Sequence, residues 1–123
     1  MVRKKILVVD DEPDIVEIII GDLTDKGYRA FGATNGVDAI IINAKENPAL
    51  IILDLRMTGM GGIETLRLIR EKDDKVRVII LTGVGGPDIV KDVADLDVSE
   101  YLHKPIDSDQ LFQVIRDVLV RPV

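Results

Sequence analysis

The sequence predicts a doubly wound α/β sandwich: one five-stranded parallel sheet with helices on both faces, a three-layer (βα)5 chain. Short β-branched apolar runs alternate with stretches of helical period, the pattern of parallel strands joined by crossover helices. Three of those runs are apolar throughout, as strands covered on both faces are. Two of them end in acid: Ile6-Leu7-Val8-Val9 leads into Asp10-Asp11, and Leu50-Ile51-Ile52-Leu53 into Asp54. In such sheets ligands bind outside the carboxyl ends of the strands, so these acids mark the place to look for function.

The elements follow in order. The first strand is Lys5–Val9, and Pro13 suits the first turn of a helix over residues 13–26, with Gly27 as its left-handed stop. Residues 28–31 form the second strand. Val37, Ile40, Ile41 and Ala44 recur at i, i+3, i+4 and i+7, predicting the inward stripe of a second helix. Leu50–Leu53 is the third strand, Gly62–Lys72 the third helix and 77–81 the fourth strand. A short fourth helix starts near Pro87, and residues 99–102 make the fifth strand. In the last helix Leu111, Val114, Ile115 and Val118 repeat the apolar stripe. Asp107 with Gln110 reads as its capping box, and Ile106 with Leu111 as its hydrophobic staple. The continuously apolar first, third and fourth strands belong in the middle of the sheet.

With 123 residues the chain fits one domain, 1–123, large enough to bury a core unaided. No apolar run is long enough to span a bilayer and no basic-then-apolar signal opens the chain, so a cytoplasmic protein without a membrane partner is expected. The absence of cysteine excludes disulfides, thiolate zinc sites and cysteine nucleophiles. Net charge is −6, the basic cluster Arg3-Lys4-Lys5 is small, and aromatics are 3% of residues, so no direct nucleic-acid binding is expected.

Side-by-side strands would bring Asp10, Asp11 and Asp54 to one sheet edge, with Thr82 and Lys104 just past two further strands. A single aspartate after a strand is commonly a turn residue or helix cap, and the acids after the first strand also suit a helix N-terminus. Three clustered anions, however, stay ionised only with cations nearby. A half-built set of carboxylates suits Mg²⁺, which keeps waters and takes substrate phosphate oxygens, better than zinc. The Thr82 hydroxyl is sized to donate to a phosphoryl oxygen, and Pro105 restrains the backbone of Lys104. A positioned ammonium, a hydroxyl, a metal and a carboxylate nucleophile are the parts of phosphoryl transfer.

The runs Ile6-Leu7-Val8-Val9-Asp10-Asp11-Glu12, Leu53-Asp54-Leu55-Arg56-Met57, Leu81-Thr82-Gly83 and Tyr101-Leu102-His103-Lys104-Pro105 resemble the response-regulator receiver domains of two-component signalling over essentially the whole chain. The resemblance implies the flavodoxin-like strand order 2-1-3-4-5. It implies Asp54 as phosphoacceptor, Asp11 as a direct Mg²⁺ ligand, Asp10 acting largely through water, and the backbone carbonyl of Arg56 completing the metal site. It further implies that Thr82 and Lys104 bind the phosphoryl oxygens, that Tyr101 turns inward on activation, and that the Lys104–Pro105 bond is cis. The implied donor is a sensor histidine kinase or histidine phosphotransfer protein. The implied reader is an unidentified output domain or protein, met at the face of the fourth helix, fifth strand and last helix, where dimers also form in the family. Such a chain is a phosphoprotein with self-catalysed transfer and autodephosphorylation, rather than a turnover enzyme.

Some positions depart from the family. Thr58 stands where proline is usual and Gly61 where aspartate is usual; neither is expected to carry chemistry, and the glycines of residues 58–62 predict a looser loop. Gly83, where alanine is common, and Gly85-Gly86-Pro87 read as a mobile switch loop, since the Gly-Lys-Ser/Thr ending of a P-loop is missing. Arg56 and Val84 occupy places that tune phosphoryl lifetime in the family. His103, the sole histidine, should point away from Lys104 by strand alternation. Two other functions rank lower. A phosphorylation-independent interaction module normally lacks part of the acid, threonine and lysine set. An aspartyl phosphohydrolase needs an acid two residues after the nucleophile, where Arg56 stands. Ending just past the last helix suits either a complete regulator or a receiver cut from a longer chain.

Overall fold

The apolar runs pair into one parallel sheet in a computed structural model that describes residues 3–83 and 87–122. Its elements are β1 (Lys5–Val9), α1 (Pro13–Asp25), β2 (Arg29–Ala33), α2 (Gly36–Glu46), β3 (Leu50–Leu53), α3 (Gly62–Lys72), β4 (Arg77–Thr82), α4 (Pro87–Asp92), a 3-10 turn at Ala94–Leu96, β5 (Glu100–His103) and α5 (Ser108–Val120). The strand order is β2-β1-β3-β4-β5, the doubly wound α/β architecture with β1, β3 and β4 in the middle. Every residue of β3 is buried, and Ile6 to Val9 of β1 are at most 1% exposed, as strands covered on both faces must be.

Side-chain alternation divides the core into two layers. Leu7, Val9, Ile51, Leu53, Val78 and Ile80 face the layer of α2 and α3, meeting Ala39, Leu66 and Ile69. Ile6, Val8, Ile52, Ile79 and Leu81 face α1 and α5, meeting Leu23, Leu111, Ile115 and Val118. Truncating any of these Leu or Ile residues to alanine removes about 2–5 kcal/mol by lost burial and cavity formation. No helix among the described residues is long and apolar enough to cross a membrane.

Boundary chemistry matches the sequence in several places. Pro13 opens α1, and Gly27 beyond it has φ +93°. Asn35 caps α2 by accepting from the Asp38 N–H at 2.8 Å. Asp107 caps α5, but it accepts from the Asp109 N–H at 3.4 Å rather than pairing with Gln110, so the predicted capping box is not formed among the described residues; Ile106 and Leu111 both join the α5 layer of the core. β2 begins one residue later than predicted and runs to Ala33; β5 is likewise displaced by one, and β4 extends to Thr82.

A second prediction is corrected. Of the stripe Val37, Ile40, Ile41 and Ala44 only Ile40 packs against the core, partly buried; Val37 and Ile41 are 54% and 58% exposed, and Ala44 is also exposed. The buried residues of α2 are Gly36, Ala39 and Asn43. Close approach decides the helix's rotation, because a Cβ on Gly36 would run into the side chains of Thr65 and Met60. The face with the smallest residues turns inward, and the larger apolar residues are left at its margin or in solvent.

Candidate functional site

Strand register builds the site. Val9 pairs with Leu53, so Asp10 and Asp54 leave the sheet side by side, and the Asp54 N–H donates to the Val9 carbonyl at 2.9 Å. Leu53 pairs with Ile80 and Thr82 with His103, which brings Thr82 and then Lys104 to the same edge. Asp10, Asp54 and Thr82 are 3%, 6% and 5% exposed, an unusual depth for two carboxylates that face each other.

Each buried carboxylate has specific donors. Asp54 Oδ1 accepts from the Thr82 hydroxyl at 2.8 Å and the Arg56 N–H at 3.1 Å, while Oδ2 accepts from Lys104 Nζ at 3.1 Å. Asp10 Oδ2 accepts from the same ammonium at 2.6 Å, and its Oδ1 from the Glu12 N–H at 3.0 Å. Burial acts most strongly on Lys104 and lowers its pKa, but the hydrogen bonds and charges of Asp10 and Asp54 together reverse this and hold it above the ordinary lysine value. The Lys104–Pro105 peptide is cis, as the family resemblance implies.

Asp10, Asp11 and Asp54 each offer a carboxylate oxygen within 4.8 Å of the others. One ammonium bonded to two of three carboxylates leaves the cluster short of positive charge. All three donors are hard oxygens at an open edge, and that donor set fits Mg²⁺. The adjoining cavity, about 420 Å³, is lined by Asp11, Glu12, Asp54, Arg56, Gly83 and Lys104. It has room for a phosphoryl group and waters, and Arg56, exposed, borders it as the sequence suggested.

The structure thus brings Asp10, Asp11, Asp54, Thr82, Lys104 and Arg56 together. Tyr101 stands apart on β5, 37% exposed, and partial burial raises its phenol pKa. His103 is exposed, with its Nδ1 2.7 Å from the Lys104 carbonyl oxygen. Val84, Gly85 and Gly86 of the expected switch loop lie outside the described residues.

Two residues given no part in the site by the sequence reading do have one. Thr58 donates to Asp11 Oδ2 from its hydroxyl at 3.2 Å and its N–H at 3.3 Å. Gly62, at the start of α3, packs so tightly that a Cβ there would lie 2.5 Å from both the Asp54 carbonyl oxygen and the Leu55 Cα. Only the absence of a side chain lets α3 begin against the segment that carries Asp54. Thr58 was visible as a departure from the family, but its reach to Asp11 depends on a loop path, with Gly59 at φ +78°, that local sequence does not specify.

A doubly wound sheet whose carboxyl edge gathers three acids, a threonine and a lysine defines a signalling receiver, and comparison with known proteins agrees. The chain belongs to the response regulator receiver domain family, whose model matches residues 6–116. It is 37% identical to sporulation initiation phosphotransferase F of Bacillus subtilis over 97% of this chain and 96% of that protein. It is 37% identical to the probable transcriptional regulator ycf27 of Porphyra purpurea, over 97% of this chain but 49% of that protein's length. Among solved structures, response regulator TrrA of Thermotoga maritima in complex with Mg²⁺–BeF is 34% identical, with a TM-score of 0.82 over 94% of this chain and 98% of that one. The chain is a receiver domain of two-component systems with an acidic pocket formed by Asp10, Asp11 and Asp54.

Proposed function

We propose that the chain is a cytoplasmic phosphoacceptor switch, a single receiver domain over residues 1–123 that takes a phosphoryl group on Asp54 from a histidine kinase or histidine phosphotransfer protein. The observation that carries this reading is the pairing of the Asp54 oxygens, Oδ1 with the Thr82 hydroxyl at 2.8 Å and Oδ2 with the Lys104 ammonium at 3.1 Å, beside two more acids. The names of two relatives, one a phosphotransferase and one seen with Mg²⁺–BeF, support it.

An Asp54 carboxylate oxygen attacks the phosphorus of the donor phosphohistidine in line. An O–P bond forms, the P–N bond breaks, and its electron pair leaves on the donor imidazole, giving an acyl phosphate on Asp54. Lys104 and Thr82 turn from the carboxylate to the phosphoryl oxygens. Asp10, Asp11, Asp54 and the backbone carbonyl of Arg56 would hold Mg²⁺, which when bound neutralises charge on the phosphoryl oxygens. Phosphorylation then moves the Thr82 hydroxyl from Asp54 Oδ1 onto the phosphoryl group, Tyr101 turns inward behind it, and the face of α4, β5 and α5 changes its preference for an output partner or a second copy. This is a population shift driven by the better fit of phosphate to the active arrangement.

Incubation with Mg²⁺ and acetyl phosphate, followed by intact-mass measurement, tests the reading. One hydroxylamine-labile phosphoryl group is expected, absent in Asp54→Ala; no modification with any donor would favour a phosphorylation-independent interaction module. The Arg56 side chain, at the cavity's edge, should tune access of hydrolytic water, so Arg56→Ala should change the dephosphorylation rate a few-fold; an unchanged rate contradicts that role.

A further inference from the structure

The three acids are not held alike. Lys104 bonds Asp10 at 2.6 Å and Asp54 at 3.1 Å, while the hydrogen-bond donors on the Asp11 carboxylate, among the described residues, are the hydroxyl and N–H of Thr58. Asp11 is half-buried on the loop after β1, and a carboxylate so placed beside two others gains by swinging into water. It nevertheless keeps an oxygen within 4.8 Å of theirs. Both Thr58 bonds fall on Oδ2, which leaves Oδ1 free to meet a cation.

Resting on the reading of this cluster as a Mg²⁺ site, we propose that Thr58 is a positioning residue for the metal. It fixes Asp11 over the cleft before the cation arrives, so that less ordering of Asp11 remains to be done on binding. The device needs a donor N–H and a hydroxyl together four residues after the phosphoacceptor; a proline there has neither. It also joins the loop after β3 to the loop after β1 directly.

Calorimetric titration with Mg²⁺ alone, no phosphodonor present, tests this on the wild-type chain, Thr58→Ser, Thr58→Ala and Thr58→Pro. Thr58 is exposed, and circular dichroism of the metal-free variants confirms their folding. Thr58→Ser should bind as wild type, Thr58→Ala roughly fivefold more weakly for the lost hydroxyl bond, and Thr58→Pro more weakly still. In phosphorylation by acetyl phosphate, the Mg²⁺ concentration for half-maximal rate should rise with the calorimetric constant, while the rate at saturating Mg²⁺ moves far less. Equal affinity in wild type and Thr58→Ala overturns the proposal. So does tighter binding in Thr58→Ala, which would mean that Thr58 competes with the metal. If the wild-type chain takes up no Mg²⁺, the reading of the acid cluster falls and this proposal with it; if it binds Mg²⁺ and the variants match it, only this proposal falls.

Discussion

The two ends of the sheet spend charge in opposite ways. At the end away from the acids, Arg70 of α3 donates to the carbonyls of Leu96 at 2.7 Å, Val76 at 2.7 Å, Asp97 at 3.0 Å and Asp73 at 3.2 Å. Asp73 in turn accepts from the N–H groups of Lys75 and Val76, both at 3.0 Å, and from Asn43 Nδ2 at 3.2 Å. Arg70 makes four hydrogen bonds there and Asp73 accepts three, while among the described residues one buried acceptor, Asn43 Oδ1, is left without a hydrogen bond. At the carboxyl edge one ammonium serves two of three clustered acids, Asp10 and Asp54, and does not bond Asp11. A saturated cluster locks the loops that leave α3 and enter β4 and β5; an undersupplied one keeps a capacity to bind.

Lys104→Met breaks that contrast hardest, because it keeps the stem but leaves Asp10 and Asp54 buried without their cation. A loss of about 3 kcal/mol in urea unfolding is expected, with part of it restored by Mg²⁺. Gly62→Ala comes next. Its Cβ meets the Asp54 carbonyl and the Leu55 Cα at 2.5 Å, so about 2 kcal/mol should be lost and phosphorylation slowed as Asp54 shifts. Arg70→Leu should cost about 1–2 kcal/mol through its lost carbonyl bonds and leave the rate of phosphorylation by acetyl phosphate unchanged. A slowed rate would join the two ends that the structure separates.

Titration sharpens the comparison further, since the two ends fail at opposite extremes of pH. Burial acts most strongly on Asp73, raising its pKa, but the hydrogen bonds from Val76, Lys75 and Asn43 and the charge of Arg70 outweigh it and hold the carboxyl below its ordinary value of 3.8. Its stabilisation is therefore present above that value and lost as pH falls through the folded-state pKa. Lys104, raised above 10.5, contributes fully below that pH and loses its contribution as pH climbs through its folded-state value. In metal-free buffer, Asp73→Asn should flatten the acid limb of the stability profile and Lys104→Met the alkaline limb.

The central place of β1, β3 and β4 and the edge at which the acids meet were legible in the sequence, because apolar runs that end in Asp10, Asp54 and Thr82 must deliver those residues to one edge once paired; the full strand order came from the family resemblance. Local pattern failed where contact between elements decides. The apolar repeat of α2 pointed inward at Val37 and Ile41, but the close approach at Gly36 turned the helix. The loop after β3 read as loose from its glycines, and that reading carried no trace of the close contact that requires Gly62 or of the bond from Thr58 to Asp11. Bonds that span 47 residues between two loops leave no periodic trace.

The central claim is that Asp54, Thr82, Lys104 and a bound cation together receive a phosphoryl group. Fluorine NMR of the chain with beryllofluoride, a mimic of the acyl phosphate, measured with and without Mg²⁺, tests it most directly. Bound fluorine resonances should appear only when Mg²⁺ is present and should vanish in Asp54→Ala. Bound resonances that persist in Asp54→Ala, or none in the wild-type chain at saturating Mg²⁺, would contradict the account.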